Sequence, residues 1–177
     1  MPAAELEAQA DRLLSAAPQI EDPASAPLVM AALQVYWAAL ASRLAADDIG
    51  LVESAGVCPV CGSLPVASIV RTKAPYAGYR YLHCALCATE WHRVRVECTQ
   101  CNATHGVAYQ SIENGPAAIR AETCDSCLSY RKILYQEHDS RVDPVADDLA
   151  SLALDLLLTD AGFHRASANP LLWQRRD

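Results

Sequence analysis

Phenylalanine occurs once in the 177 residues, methionine twice, and aromatic residues together make up only 6%. Alanine and leucine dominate both ends instead, which suits helices there. Positive charge is also in short supply: 14 Lys and Arg stand against 21 Asp and Glu, a formal charge of -7. That balance excludes a protein whose whole surface binds nucleic acid or anionic lipid. Long apolar runs are missing too. The longest uncharged stretch, Pro23 to Ser42, holds two prolines, Gln34 and many alanines, too weak for a membrane span of about 20 strongly apolar residues. The N-terminus shows no secretory signal, because Met1-Pro2-Ala3-Ala4-Glu5 is acidic where a signal is basic and no apolar core follows. A cytoplasmic protein is the expectation. No Ser/His/Asp set, phosphate loop or pair of catalytic carboxylates has a recognisable setting, so the chain reads as non-enzymatic, with no catalytic residue.

Nor is any cysteine left over. All eight lie in four Cys-x-x-Cys pairs: Cys58/Cys61, Cys84/Cys87, Cys98/Cys101 and Cys124/Cys127. In a compartment that keeps thiols reduced, this pattern reads as metal binding or dithiol redox chemistry rather than a disulfide framework. A thioredoxin-type site needs a Cys-x-x-Cys at a helix N-terminus after a strand, and no pair has that context. The distance from Cys58 to Cys84 is 26 positions and recurs from Cys98 to Cys124; Cys58 to Cys98 is 40 and recurs from Cys84 to Cys124. Residues 58–97 and 98–137 are therefore a tandem repeat. In register, Arg80 falls on Arg120, Thr89 on Ser129 and Glu97 on Glu137.

Two pairs facing each other supply four thiolates in tetrahedral array, each about 2.3 Å from a zinc ion. The expected sites are Cys58, Cys61, Cys84, Cys87 and Cys98, Cys101, Cys124, Cys127, holding two metal ions, iron or zinc, since an all-sulfur shell suits both. Grouping Cys84/Cys87 with Cys98/Cys101 stays open as an alternative. Metal binding of this kind is folding free energy for modules without a core of their own. Cys58-Pro59-Val60-Cys61-Gly62 is the best-formed knuckle, because Gly62 tolerates the positive φ such turns tend to require; Ala88, Asn102 and Leu128 follow the other second cysteines, and of these only Asn102 is comfortable there. Strands are expected at 66–70, 79–83, 107–111 and 118–122, with turns at Pro75, Gly78 and Asn114-Gly115-Pro116, and further strand-like runs at 91–96 and 131–136.

The flanks read as helices. Residues 4–16 place Leu6, Ala10, Leu13 and Leu14 on one face, a break follows from Glu21 to Pro27, and a second helix runs to about Ala46 with Val29, Leu33, Tyr36, Trp37, Leu40 and Leu44 on one side. A third starts at the N-cap Asp143 with Pro144 in its first turn and ends at Gly162. Its apolar side carries Val145, Leu149, Leu152 and Leu156. Asp148, Ser151, Asp155 and Thr159 read as a solvated stripe, and Leu171-Leu172-Trp173 as an apolar tail that must pack or meet a partner.

The stretch 58–137 holds 8 basic residues (Arg71, Lys73, Arg80, Arg93, Arg95, Arg120, Arg131, Lys132) and 6 acidic ones, while the flanks hold 6 basic and 15 acidic. Eight thiolates holding two divalent ions would turn that slight basic excess acidic, which disfavours a nucleic-acid-binding tandem zinc ribbon. A rubredoxin-like electron carrier is another alternative. His83, His92, His105, His138 and His164 are scattered and read as surface or outer-shell residues.

These four pairs, followed by Asp143-Pro144-Val145-Ala146-Asp147-Asp148-Leu149-Ala150-Ser151-Leu152-Ala153-Leu154-Asp155, Gly162-Phe163 and Asn169-Pro170, resemble the FdhE family of formate dehydrogenase accessory proteins over roughly residues 28–175. The resemblance implies a cytoplasmic maturation factor that contacts the catalytic subunit of respiratory formate dehydrogenase and carries two rubredoxin-like metal sites on the eight cysteines. The segment before residue 50 is short for that family. The expected fold class is α plus small β: an N-terminal helical segment (1–52), a first four-cysteine ribbon (53–97), a second (98–137), and a C-terminal helix and tail (138–177), with no membrane contact.

Overall fold

A computed structural model describes residues 2–15, 22–50, 56–73 and 77–172. Glu21, Pro75 and Trp173, named above for a break, a turn and a tail, lie outside the described residues. Each repeat unit folds as an antiparallel meander: β1 (Pro65–Val70), β2 (Arg80–Cys84) and β3 (Glu90–Arg93), then β4 (Val107–Gln110), β5 (Ile119–Cys124) and β6 (Ser129–Tyr135). Four of the expected strands fall within a residue or two of these bounds. The last strand of each unit begins earlier than its apolar run, at Glu90 and Ser129, because pairing starts directly at the knuckle.

The units are not separate modules. Strands β1 and β6 pair in parallel, Ser68 opposite Ile133 and Val70 opposite Tyr135, which joins all strands in the order β3-β2-β1-β6-β5-β4. A short strand, β7 (His164–Arg165), pairs with the start of β6, placing His164 opposite Ser129. One mixed sheet between helical flanks thus stands where two separate small ribbons were expected. The physical reason is the edge: a three-stranded ribbon leaves unpaired backbone groups, and joining the two edges satisfies them while burying Ile69, Ile133 and Leu134 completely.

Strand β6 is buried along its whole length, so both sheet faces are covered there. Alternation puts Arg131 on one face and Lys132 on the other, only 3% and 1% exposed. Over the Lys132 face lie α3 (Ala146–Ala150) and α4 (Leu152–Asp160), two short helices rather than the one expected. Ser151 breaks them, with its Oγ donating to the Asp147 carbonyl at 2.6 Å. The start is as expected: the Asp143 carboxylate accepts from the N–H groups of Val145 and Ala146 at 3.0 and 2.8 Å.

Val145 packs as expected against the cluster of Val66 and Leu134, but from Ser151 on the expected faces of this helix pair are inverted. Leu154 and Leu158 pack inward, whereas Leu152, Leu156 and Leu157 are exposed. Asp148, Ser151 and Asp155 also turn inward, because the Lys132 ammonium waits beneath them. It donates to the carbonyls of Asp148 and Ser151 at 2.6 and 3.2 Å and to Asp155 Oδ2 at 2.6 Å. Arg165 pairs with Asp148, Asn169 Nδ2 donates to Asp148 Oδ2 at 2.7 Å, and Tyr130 donates to Asp155 Oδ1 at 2.8 Å. A buried charge is tolerable only when paired and hydrogen-bonded in this manner. Of the expected polar stripe, only Thr159 faces solvent.

At the other end, α1 (Ala3–Leu14) and α2 (Ala26–Ala41) pack through Ala10, Leu13, Val29, Met30, Leu33 and Trp37. Leu6, Leu14, Tyr36, Leu40 and Leu44, expected on the packed faces, are exposed. No helix among the described residues is long and apolar enough to cross a membrane.

Candidate metal centres

Each Cys-x-x-Cys turns through a left-handed residue placed directly after its second cysteine: Gly62 at φ 75°, Ala88 at 58°, Asn102 at 60° and Leu128 at 52°. Glycine and asparagine accept this region readily, while alanine and leucine are held there at a cost. The turn is closed the same way each time. The N–H of the first cysteine donates to a carbonyl five residues on, Cys58 to Ser63 at 2.9 Å, Cys84 to Thr89 at 2.9 Å and Cys98 to Ala103 at 2.8 Å. Cys124 lies opposite Ser129 in the β5–β6 register. This geometry aims backbone N–H groups at sulfur: Leu86 and Cys87 at Cys84 Sγ, 3.3 and 3.4 Å, and Gln100 at Cys98 Sγ, 3.4 Å.

The fold brings Cys58, Cys61, Cys84 and Cys87 together, and separately Cys98, Cys101, Cys124 and Cys127, with every sulfur of a group within 4.8 Å of the others. The alternative grouping across the units is not formed. Cross-knuckle Sγ–Sγ distances are 3.5 Å (Cys58–Cys87) and 3.4 Å (Cys61–Cys84) in the first group, 3.8 Å (Cys98–Cys127) and 3.7 Å (Cys101–Cys124) in the second. A regular tetrahedron with metal–sulfur bonds of about 2.3 Å has edges of about 3.8 Å. The second group matches that figure and the first is slightly tighter. Each group could hold one metal ion, and four soft sulfurs fit iron and zinc alike.

Crowding four thiols spreads their acidities. In the first group the hydrogen bond with Cys58 brings Cys61 down to about 6, while hydrogen bonding among the sulfurs and burial push Cys58 and Cys84 up. In the second, burial pushes Cys98 up to about 12. Burial also acts to raise Cys127, but hydrogen bonds from Ser129 outweigh it and bring the thiol down to about 7. The Thr89 hydroxyl lies 3.1 Å from Cys87 Sγ, and its repeat counterpart Ser129 lies 3.0 Å from Cys127 Sγ. Each group therefore holds a thiol drawn toward the thiolate that a metal requires, Cys61 or Cys127, beside others that must lose a proton when the ion binds, Cys58 and Cys84 or Cys98.

The surroundings differ. Around the first group pack Val29, Met30, Leu33, Trp37, Leu86 and Trp91, and Gln34 Nε2 of α2 donates to the Ala85 carbonyl at 2.8 Å, docking the helix on the knuckle. Among the described residues no helix lies over the second group: Gln100, Cys101, Asn102, His105 and Ser126 are all exposed. Neither group includes a histidine. His83 is instead 3.0 Å from Glu90, which also holds Arg71, and His105 sits 3.5 Å from Ser126. Sequence reasoning missed the buried charges beside the second group. Arg80 pairs with Glu122 and donates to the Glu97 carbonyl at 3.0 Å, and Arg131 Nε donates to Thr99 Oγ1 at 3.0 Å. An Arg-Lys pair inside a strand that is apolar on both sides was the available signal.

Three family models match in succession, FdhE N-terminal over residues 1–53, FdhE central domain over 57–95 and FdhE C-terminal domain over 96–172. A "Protein FdhE homolog" from Cronobacter sakazakii is 49% identical over 174 residues, 97% of this chain and 55% of that protein. A "Protein FdhE" from Salmonella dublin is 51% identical over 151 residues, 84% of this chain and 48% of the relative. The crystal structure of the FdhE protein from Pseudomonas aeruginosa superposes with a TM-score of 0.86 at 43% identity, covering 97% of this chain and 60% of that one. The chain spans about half the length of the curated relatives it matches. With three consecutive family models and a fold and sequence shared almost throughout its length, the chain belongs to the FdhE family.

Proposed function

We propose that the chain is a cytoplasmic accessory factor for formate dehydrogenase maturation, binding the catalytic subunit and carrying two metal ions, one on Cys58, Cys61, Cys84 and Cys87 and one on Cys98, Cys101, Cys124 and Cys127. The observation that carries it is the convergence of two complete four-sulfur groups in a chain of the FdhE family. The division at residues 52, 97 and 137 belongs to this reading: a helical cover, a buried first centre, an open second centre and a C-terminal strap. An all-cysteine shell has no free position for substrate, which supports a binding role over catalysis.

Two alternatives separate by observation. Nucleic-acid binding loses support because Arg80, Arg131 and Lys132, three of the basic residues of the repeat, are buried, Arg80 and Lys132 in ion pairs with Glu122 and Asp155, and cannot reach phosphate. Electron exchange gains support from the exposure of Cys101, which brings solvent to the second centre. The test is direct binding of the purified chain to an immobilised formate dehydrogenase catalytic subunit, with metal analysis of the same preparation. Saturable binding and two ions per chain are expected. Absence of binding withdraws the accessory reading, and absence of metal under reducing, metal-replete conditions withdraws the ligand assignment.

A further inference from the structure

The two units share their cysteines and strand order, and among the many positions at which their residues differ is one cross-strand pair. In the first, Leu82 lies opposite Trp91. Forty residues on, Glu122 lies opposite Arg131. Trp91 packs against the group containing Cys58, Cys84 and Cys87. Arg131, in the equivalent place, is tethered through Thr99 to the knuckle of Cys98 and Cys101.

The charges around Arg131 do not balance within the protein. Two buried guanidiniums, Arg80 and Arg131, lie near one buried carboxylate, Glu122, which pairs with Arg80. Glu97, whose carbonyl accepts from Arg80, has its carboxylate engaged by Arg93 at 2.8 Å. Arg131 spends its remaining donors on neutral oxygens, the Pro65 carbonyl and the Ser167 hydroxyl, the latter at 2.6 Å, and its other terminal nitrogen is buried without a hydrogen-bond partner. Burial pushes the Arg131 guanidinium down to about 10, Glu122 pulls it back, Arg80 pushes further, and Cys98 attracts it. An unbalanced buried cation costs several kcal/mol unless a counter-charge lies near. Four thiolates around a divalent ion carry a charge of -2, and around ferric iron -1.

We propose that Arg131 is the outer-sphere counter-ion of the second metal centre, a positioning residue that holds the Cys98–Cys101 knuckle through Thr99 and favours the more negative state of the bound ion. The inference rests on the assignment of the eight cysteines as ligands. With iron bound, one electron converts the ferric tetrathiolate (-1) to the ferrous one (-2), with no bond broken and no proton taken up. A cation beside that site stabilises the reduced form, whereas Trp91 beside the first site brings no charge. The second centre therefore has the higher reduction potential of the two.

The test reconstitutes the whole chain with ferrous iron, counts ions per chain, oxidises the sites with ferricyanide, removes the excess, and follows the visible absorption through a dithionite titration. Wild type is expected to hold two irons and to titrate in two one-electron waves. Arg131→Met should lower the ferrous-to-ferric ratio of the upper wave about tenfold at fixed potential, equivalent to 59 mV for a one-electron couple, with the lower wave unmoved. Arg131→Lys, keeping the charge, should restore most of that shift, which a merely structural role would not do. Thr99→Val, which cuts the tether and keeps the charge, should move the upper wave less than Arg131→Met. No iron bound would refute the ligand assignment itself. Two irons titrating as one wave, iron held at one centre alone, an upper wave unmoved in folded Arg131→Met, or Thr99→Val equalling Arg131→Met would each overturn the counter-ion role.

Discussion

Residues 58–97 and 98–137 share their cysteine spacing, their strand order and a left-handed residue after every second cysteine, yet their sulfurs sit in different surroundings. The first group is roofed by α2 and bedded on Leu86 and Trp91. The second has a buried ion-pair layer on one side and solvent on the other, with Cys101 exposed. The ligand frame of a metal knuckle is local, set by a turn and two hydrogen bonds, so it survives changes in everything around it. The surroundings are tertiary, and they decide what each centre contributes. A roofed centre is part of the core, and its loss removes the platform on which the helices rest. An open centre holds only its own knuckles together.

The largest consequence concerns ligand loss. Cys58 is buried in the same cluster as Leu13, Ala26, Val29 and Met30, so Cys58→Ser removes a metal ligand and disturbs the helix platform together. Structural tetrathiolate sites contribute about 10–16 kcal/mol of apparent binding energy, more than the whole stability of an ordinary domain. Cys58→Ser is expected to leave α1 and α2 undocked, with circular dichroism melting losing its cooperative transition. Cys101→Ser should lose the second ion and keep a cooperative melt and the first ion. Equal damage from the two substitutions, by melting and metal content, would erase the distinction between core and open centre.

Much of this contrast could be read from the chain, and the limits of the reading are physical. The period of 40 residues set the correct grouping of cysteines, because knuckle spacing is a local property. Strand positions were legible for the same reason, from Val66-Ala67-Ser68-Ile69-Val70 and its counterparts. The β1–β6 join was not, since parallel pairing between Ser68 and Ile133 leaves no local trace in either strand. The inverted helix faces were missed because Asp148, Ser151 and Asp155 at helical spacing look the same whether they meet water or a buried ammonium. What decided between these was Lys132, a residue in another element. The cost of left-handed Ala88 and Leu128 was anticipated from their side chains, but the repeat enforces the turn regardless.

The next effect isolates the strap that the second unit has and the first lacks. Lys132→Met leaves Asp155 and Asp148 inside without their ammonium partner, and breaking a buried pair in this way costs about 3–5 kcal/mol. Lys73, an exposed cation on the first unit, serves as the control, and its replacement by Met should stay within about 0.5 kcal/mol. Urea denaturation midpoints of the two variants check both figures. A small loss for Lys132→Met would mean that the helix pair is held by Leu154 and Leu158 alone.

Metal release offers a smaller but more direct reading of exposure. With both centres zinc-loaded, a chromogenic chelator should take one ion per chain at least about tenfold faster than the other, a difference of roughly 1.4 kcal/mol in barrier. The fast ion should be the second, because Cys101 presents its sulfur to solvent while α2 covers the first group. Cys101→Ser should abolish the fast phase and leave the slow one. A fast phase that persists in that variant would assign lability to the first centre and reverse the comparison.

The smallest effect tests whether the knuckles themselves are equivalent. Gly62 and Leu128 occupy the same left-handed position, at φ 75° and 52°, and Leu128 is exposed, so trimming it forfeits little buried surface. A Cβ on Gly62 would meet nothing within 4 Å. Substitution at either position therefore changes backbone preference without a clash. A side chain in this region costs about 1–2 kcal/mol, partly offset by the greater freedom that glycine loses on folding, about 0.5–1 kcal/mol. Leu128→Gly is expected to gain about 0.5 kcal/mol and Gly62→Leu to lose about as much, read from melting of metal-loaded protein. If Gly62→Leu costs several times what Leu128→Gly gains, the excess belongs to the roof over the first centre, since Leu64, two residues past Gly62, accepts from the N–H of Ala85, on which Gln34 docks. Symmetric values would make the two turns interchangeable and confine the difference between the centres to Trp91, Arg131 and the helix above.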